Sequence, residues 1–236
     1  MALFQRPLPT LMLLLFPVVF ISCSTLKKEN LSRFESSSLF GMIYDYENRP
    51  CSEVQVTIDG KEGPTSDING RFIIQSLTRG EHQMTFTKDG FETESLRFNF
   101  LNRNQVLYVR MISFGQLLEK AETSLSLQQW EQAYDFIRRA ENIKEGDPLA
   151  GYLYAILLKE RGRAREAADV LRGILGTGFT GPYVYLALAD IYQYQLHEPD
   201  EAVHYLKEYL NIESNREVQK RLEELQSEIE AAAPDG

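Results

Sequence analysis

The residues that could do chemistry in this 236-residue chain are few and scattered. Asp67-Ile68-Asn69-Gly70 places a carboxylate and a side-chain amide two positions apart, as the opening of a Ca²⁺ loop does. A hard cation gathers roughly six to eight oxygens. No later acidic ligand follows, so the stretch reads as a turn. His82, His197 and His204 fall in different elements, without the Cys or carboxylate spacing of a zinc site. No Ser/His/Asp order, glycine-rich phosphate loop or paired-carboxylate pattern stands out. The sequence therefore assigns no catalytic residue, no metal ligand and no cofactor. What remains is recognition chemistry: tyrosines beside a few polar groups in the second half, and Cys23 directly behind an apolar run.

The tyrosines lie in a stretch that repeats itself. Ala121, Ala155 and Ala189 recur at intervals of 34 (155 − 121 and 189 − 155). Ala133, Ala167 and Ala202 follow at 34 and 35 (167 − 133 and 202 − 167), with the extra residue expected in the turn at His197-Glu198-Pro199. Ile137, Leu171 and Leu206 keep the same step. Such a period signals stacked helix-turn-helix units, with small residues where paired helices approach closest. Tyr154 and Leu158, then Leu188 and Tyr192, are placed to fill the space between successive hairpins.

Tyr154-Ala155, Leu158, Gly162, Ala167 and Leu171, then Leu188-Ala189, Tyr192, Ala202 and Leu206, resemble the tetratricopeptide repeat (TPR) family. Trp130, Ala133, Ile137 and Ala140 fit a first, degenerate unit, in which Lys120 and Ser124 replace the family's Leu and Tyr and Pro148 arrives late. The resemblance implies a curved stack whose first helices line a concave groove. In the register set by Ala155 and Ala189, the groove positions are Tyr152, Ile156, Lys159, Tyr183, Leu186, Asp190 and Gln193, joined by Glu122 and Leu125. Such residues suit a peptide or helix, while Tyr152 and Tyr183 equally suit gap-filling between hairpins. Lys159, Arg161, Arg163, Arg165 and Arg172 form a basic cluster at the Gly162 turn, read either as helix-dipole compensation or as a dock for an acidic partner. Gly173, Gly176, Gly178 and Gly181-Pro182 read as a loose turn. Ser214-Asn215-Arg216-Glu217 reads as a capping box opening a last helix, whose stripe Val218, Leu222, Leu225 and Ile229 would cap the stack.

Between Leu39 and Ser113 the apolar period changes to two: Phe40-Met42-Tyr44, Val54-Val56-Ile58, Phe72-Ile74, Met84-Phe86, Leu96-Phe98-Phe100 and Leu107-Val109-Met111. Turn residues separate these runs, among them Asp59-Gly60, Arg79-Gly80 and Asp89-Gly90. Six or seven short strands predict a small antiparallel β-sandwich. Gly41-Met42-Ile43-Tyr44-Asp45, Arg49-Pro50, Thr65-Ser66-Asp67-Ile68-Asn69-Gly70-Arg71-Phe72 and Lys88-Asp89-Gly90-Phe91 resemble the carboxypeptidase regulatory-like domain. That resemblance implies a transthyretin-like (prealbumin) sandwich with no catalytic role. Cys51 reads as a small buried hydrophobe or as one half of an intermolecular disulfide.

At the N-terminus, Arg6 precedes the apolar run Leu11 to Ile21, which has the length of an export signal. Phe20-Ile21-Ser22-Cys23 resembles a bacterial lipobox. The resemblance implies cleavage before Cys23 and its acylation, which would anchor the chain in a membrane. An ordinary secretory signal and an uncleaved anchor are the alternatives. Ser24 lacks the acidic character of an inner-membrane retention signal, which leaves the leaflet open. The polar, serine-rich stretch behind it reads as a tether.

Net charge is −9, and from Gly115 onward 13 Lys+Arg face 22 Asp+Glu. An acidic helical half excludes generic nucleic-acid binding, which needs a basic footprint. The expected architecture is α+β and multidomain. A signal peptide spans 1–22, the acylated cysteine and tether 23–38, the β-sandwich 39–113, a TPR-type solenoid with its C-terminal capping helix 114–230, and a frayed tail 231–236. The expected function is a non-catalytic scaffold in the bacterial envelope. Its partners would be other envelope proteins or peptides in the groove, and a membrane through the lipid on Cys23. A glycan- or peptidoglycan-binding module, or an accessory subunit of an envelope enzyme or assembly machine, is the alternative.

Overall fold

Period-two alternation builds one apolar cluster and period-34 repetition two more, the first of which begins at the junction residue Ile112. The computed structural model describes residues 35–232, so Cys23, the expected signal and most of the tether lie outside it, as does the tail from 233. Seven strands come first: β1 (Ser36–Asp45), β2 (Gln55–Ile58), β3 (Lys61–Thr65), β4 (Arg71–Thr78), β5 (Gly80–Thr87), β6 (Glu94–Phe100) and β7 (Val106–Met111). Seven α-helices follow: α1 (Phe114–Ser126), α2 (Trp130–Ile143), α3 (Pro148–Glu160), α4 (Ala164–Gly176), α5 (Pro182–Asp190), α6 (Pro199–Ile212) and α7 (Arg216–Ala232). No helix among the described residues is long and apolar enough to cross a membrane.

The strands form a three-stranded sheet, β4-β1-β7, and a four-stranded sheet, β3-β2-β5-β6. One apolar cluster, with Leu39, Ile43, Val56, Met84, Phe86 and Phe100 fully buried, lies between them. Three points correct the sequence reading. The sandwich is not wholly antiparallel: β7 runs parallel to β1, Phe40 to Asp45 pairing with Val106 to Met111. Alternation marks a strand but not its neighbour's direction, and the link Leu101 to Gln105 carries the chain from one sheet into the other. Within β1 the core side is Leu39, Gly41, Ile43 and Asp45, so Phe40, Met42 and Tyr44 face outward. Both sides of this strand are apolar enough to pass for the inner one. Finally, β1 begins at Ser36 rather than Leu39, with Ser38 Oγ donating to the Gln75 carbonyl at 3.0 Å.

β3, which no apolar alternation reveals, is an edge strand holding Pro64, a residue with no ladder donor to give. It leaves β2 through Asp59-Gly60, both at positive φ, as a two-residue hairpin turn requires. Asp67 closes the next turn, its Oδ1 accepting from the N–H groups of Asn69 and Arg71, each at 2.8 Å. Its carboxylate serves the backbone. Cys51 is buried and unpaired, and burial pushes its thiol above the ordinary range.

The helices pack as three hairpins, α1/α2, α3/α4 and α5/α6, with α7 laid on the last. Ala121, Ala155 and Ala189 on the first helices, and Ala133, Ala167 and Ala202 on the second, are fully buried. Each hairpin turns on a residue in the left-handed region: Gln128, Gly162 and His197. These are 34 and 35 positions apart (162 − 128 and 197 − 162), so the extra residue lies before His197, not in the turn after it. It is absorbed where α5 continues into a π-helical stretch, Ile191–Leu196, a widened turn that takes one residue more per hydrogen bond. Pro148 and Pro182, 34 apart (182 − 148), each occupy the first turn of a helix, where no amide donor is needed. Gly173 and Gly176 belong to α4 rather than to the turn after it. Asn215, not Ser214, caps α7, accepting from Glu217 N at 2.9 Å and Val218 N at 3.3 Å. α7 itself runs on to Ala232.

Only Ile112 and Ser113 separate β7 from α1, and that junction is bonded from both sides. Ser113 and Gln116 form a reciprocal capping box. Glu92 N donates to Ile112 O at 2.9 Å and Phe114 N to Gly90 O at 2.8 Å. Arg139 of α2 grips Glu92 with two bonds of 2.9 and 2.7 Å.

His82 is buried, with Nδ1 2.7 Å from Asp59 Oδ2 and Nε2 2.9 Å from the Thr78 carbonyl. Burial opposes its charge, but the bonds to Asp59 and Thr78 more than offset this and hold its pKa above the ordinary value. The bond from His82 likewise leads the causes that depress Asp59. A raised histidine stabilises the fold fully below its unfolded pKa, about 6.5, and loses that contribution as pH rises through the folded value. The depressed Asp59 loses its contribution on the acid side, below about pH 4. Urea midpoints should therefore fall as pH climbs above about 6.5, and His82→Gln should flatten that limb of the profile.

Candidate functional site

The stripe on the first helices is built by register. Tyr152, Ile156 and Lys159 stand on α3, Tyr183, Leu186 and Asp190 on α5, and Gln193 in the π-helical stretch, all seven partly buried. The Tyr152 and Tyr183 rings meet edge to face, centroids 4.7 Å apart and planes at 79°. Phe179, in the loop before α5, packs on Tyr183 at 5.8 Å. Burial first, then Tyr183, Asp190 and Glu122, push the Tyr152 phenol above its ordinary value. Those neighbours come from α1 and α5, so a tyrosine on the middle helix feels carboxylates from the hairpins on both sides. Ile156 and Leu186 pack against the same core as the two tyrosines. The rings thus do both things their sequence allowed: they join adjacent hairpins and keep part of their surface open.

Asp190 and Gln193 are joined by a residue that sequence reasoning did not single out. Arg221 of α7 reaches back to Asp190 Oδ1 at 2.7 Å and to Gln193 Oε1 at 2.8 and 2.6 Å. Its guanidinium also lies 5.1 Å from the centre of the Tyr194 ring. A signal existed: Arg221 follows Val218 by three and precedes Leu225 by four, so it borders the apolar stripe that docks α7. Lys159 is apart from this group, its ammonium 3.4 Å from Glu160.

The basic cluster is matched charge for charge. Arg161 pairs with Glu131 of α2 at 3.2 Å, and Arg165 pairs with Glu198, just before α6, at 2.9 Å. Arg163 pairs with Glu166 and Arg172 with Asp169. The first two pairs link one hairpin to the next, a role neither sequence reading included.

A hollow of about 440 Å³ opens between α2 and α4 over α3. Tyr134, Ile137, Ala150, Gly151, Tyr154 and Val170 give it an apolar lining, and Arg138, Glu141 and Asn142 add polar groups. Tyr154 does not only fill space between hairpins: its ring lies 6.2 Å from that of Tyr134 at this opening. Among the described residues, no group of three or more His, Cys, Asp or Glu could hold a metal ion.

No family model matches the chain, and no curated protein matches it. Among solved structures it is similar to the Arabidopsis OM64 TPR domain at 16% identity, over 49% of this chain and 95% of that one, with a TM-score of 0.44. The first TPR of Spaghetti (RPAP3) bound to the HSP90 peptide SRMEEVD shows 14% identity over 49% and 92% of the two chains, with a TM-score of 0.44. The TPR2AB-domain:pHSP90 complex of yeast Sti1 shows 13% identity over 50% and 48%, with a TM-score of 0.46. These likenesses are distant, and the helix pairing described above rests on this chain's own contacts.

Arg221→Ala should loosen α7, which its apolar stripe still docks, and lower stability by about 1–2 kcal/mol, since it removes bonds to a carboxylate and an amide together. Thermal denaturation would show the loss, and proteolysis should begin within α7.

Proposed function

We propose that this protein is a non-catalytic interaction module of TPR type, tethered to a membrane of a bacterial envelope by acylated Cys23. The helices take a peptide or helix of another envelope protein along the Tyr152–Tyr183 stripe. The β-sandwich, of carboxypeptidase regulatory-like kind, holds that stripe at a set place behind the tether. One observation carries the reading: an edge-to-face tyrosine pair bridges two hairpins while both rings stay partly open. Tyrosine anchors of this kind supply large contact area at small entropic cost. Glu122, an exposed carboxylate near the pair, favours a partner segment carrying a basic group beside apolar ones, Asp190 being already paired with Arg221.

Crosslinking in native membranes, followed by mass spectrometry, should recover a partner. Tyr152→Ala combined with Tyr183→Ala should weaken its capture by about tenfold or more, with the helical circular dichroism retained. Ile68→Ala, on an exposed β-turn, should leave capture unchanged. Equal capture by the double variant would end this reading. For the anchor, the mass of the mature N-terminus decides, and an unmodified Cys23 thiol there refutes it.

A second reading has its own observation. The hollow between α2 and α4 combines two tyrosine rings with Arg138, Glu141 and Asn142, a lining that suits a sugar or a peptidoglycan fragment. Muropeptides should then raise the melting temperature, and Tyr154→Ala should abolish the shift.

A further inference from the structure

The outer side of the β4-β1-β7 sheet is apolar where an outward face should be polar. Ile73, Phe40 and Val106 stand abreast across the three strands, exposed to 42%, 50% and 45%. On the next outward row Arg71, Met42 and Tyr108 stand abreast, the last 66% exposed. Tyr44 and Arg110 follow. The outer side of the other sheet shows the ordinary pattern, with Gln83 beside Arg97 and Thr85 beside Ser95. One face of the sandwich is therefore built for water, and the other is not.

Charge sets the same face apart. The chain holds 34 Asp+Glu against 25 Lys+Arg. Yet β1, β4 and β7 contain one acidic residue among them, Asp45, which is buried and bonded to Arg49. Arg71 and Arg110 point outward. Connectivity adds a third constraint. β1 is the central strand of this sheet, and the chain enters it from Cys23 through Ser24 to Glu35. Those residues can span at most about 40 Å when fully extended.

We propose that this face lies on the lipid surface that holds the N-terminus. The inference rests on the Cys23 anchor of the reading above. Phe40, Ile73, Val106 and Tyr108 enter the boundary between head groups and acyl chains, and Arg71 and Arg110 meet anionic head groups. A second copy of the chain fits the face less well. A standard interface takes about 800 Å² from each partner, whereas three strands at their usual spacing offer a face on the order of 400 Å². A bilayer needs no such area, because a short leash holds the face at an effective concentration of about millimolar, where weak affinity suffices.

The test uses the full mature protein reconstituted into phosphatidylglycerol-containing vesicles. Tyr108→Cys on this face, or Gln83→Cys on the other sheet, carries an environment-sensitive fluorophore; both sites are exposed, so the core is untouched. At position 108 emission should shift to the blue and iodide quenching should fall about threefold or more, as burial at a lipid interface requires, while position 83 stays quenchable. Equal quenching at both positions, with the protein sedimenting with the vesicles, overturns the proposal and leaves the anchor standing. Protein that stays in the supernatant overturns the anchor and this contact with it. Protection at position 108 that grows with protein concentration without vesicles assigns the face to a second copy instead.

Discussion

Close approach of paired helices is the constraint from which the second half of the chain follows. Ala121 and Ala133, Ala155 and Ala167, and Ala189 and Ala202 lie one on each helix of a pair and are fully buried, and side chains of one carbon let the backbones draw together. Interhelical distances at the short end of roughly 8–10 Å depend on such residues. Once each pair is locked, the next can stack only through the larger residues around the alanines, and the face carrying Tyr152 and Tyr183 is set without further choice. The left-handed residues Gln128, Gly162 and His197 do the complementary work at the hairpin ends, reversing the chain in the same way each time.

Much of this was legible because small residues at fixed intervals leave a trace that no neighbour disguises. The spacing of alanines revealed the hairpins, and their register placed Tyr152 and Tyr183 on α3 and α5. The location of the one extra residue was not legible: a helix that widens into a π turn and a turn that lengthens leave the same interval in the sequence. The interval from Gly162 to left-handed His197 settles which occurred. In the β half, alternation located the apolar strands but could not orient β1, whose two sides are alike in hydropathy, nor reveal that β7 lies parallel to it. Arg221 escaped notice because its partners, Asp190 and Gln193, are about thirty positions away, and only the docking of α7 brings them together.

Charge acts locally in a chain whose total is −9. The basic side chains around Gly162 look like a patch in sequence, yet each is answered by a carboxylate, twice across a hairpin boundary. Surface pairs of this kind add little to stability singly. Here two of them join one hairpin to the next, beside the apolar packing that stacks the hairpins. The strands of the three-stranded sheet, by contrast, hold almost no acid.

The direct passage from β7 into α1 has a mechanical consequence. A chain held at its N-terminus and gripped at its helices would be stretched between the start of β1 and the end of β7. Those strands are parallel neighbours, paired from Phe40–Val106 to Asp45–Met111, so tension slides one along the other and loads every rung of the ladder at once. Antiparallel neighbours pulled from a shared end would open like a zipper, one rung after another. Under such a load, the parallel pair that the sequence did not disclose would act as a shear clamp.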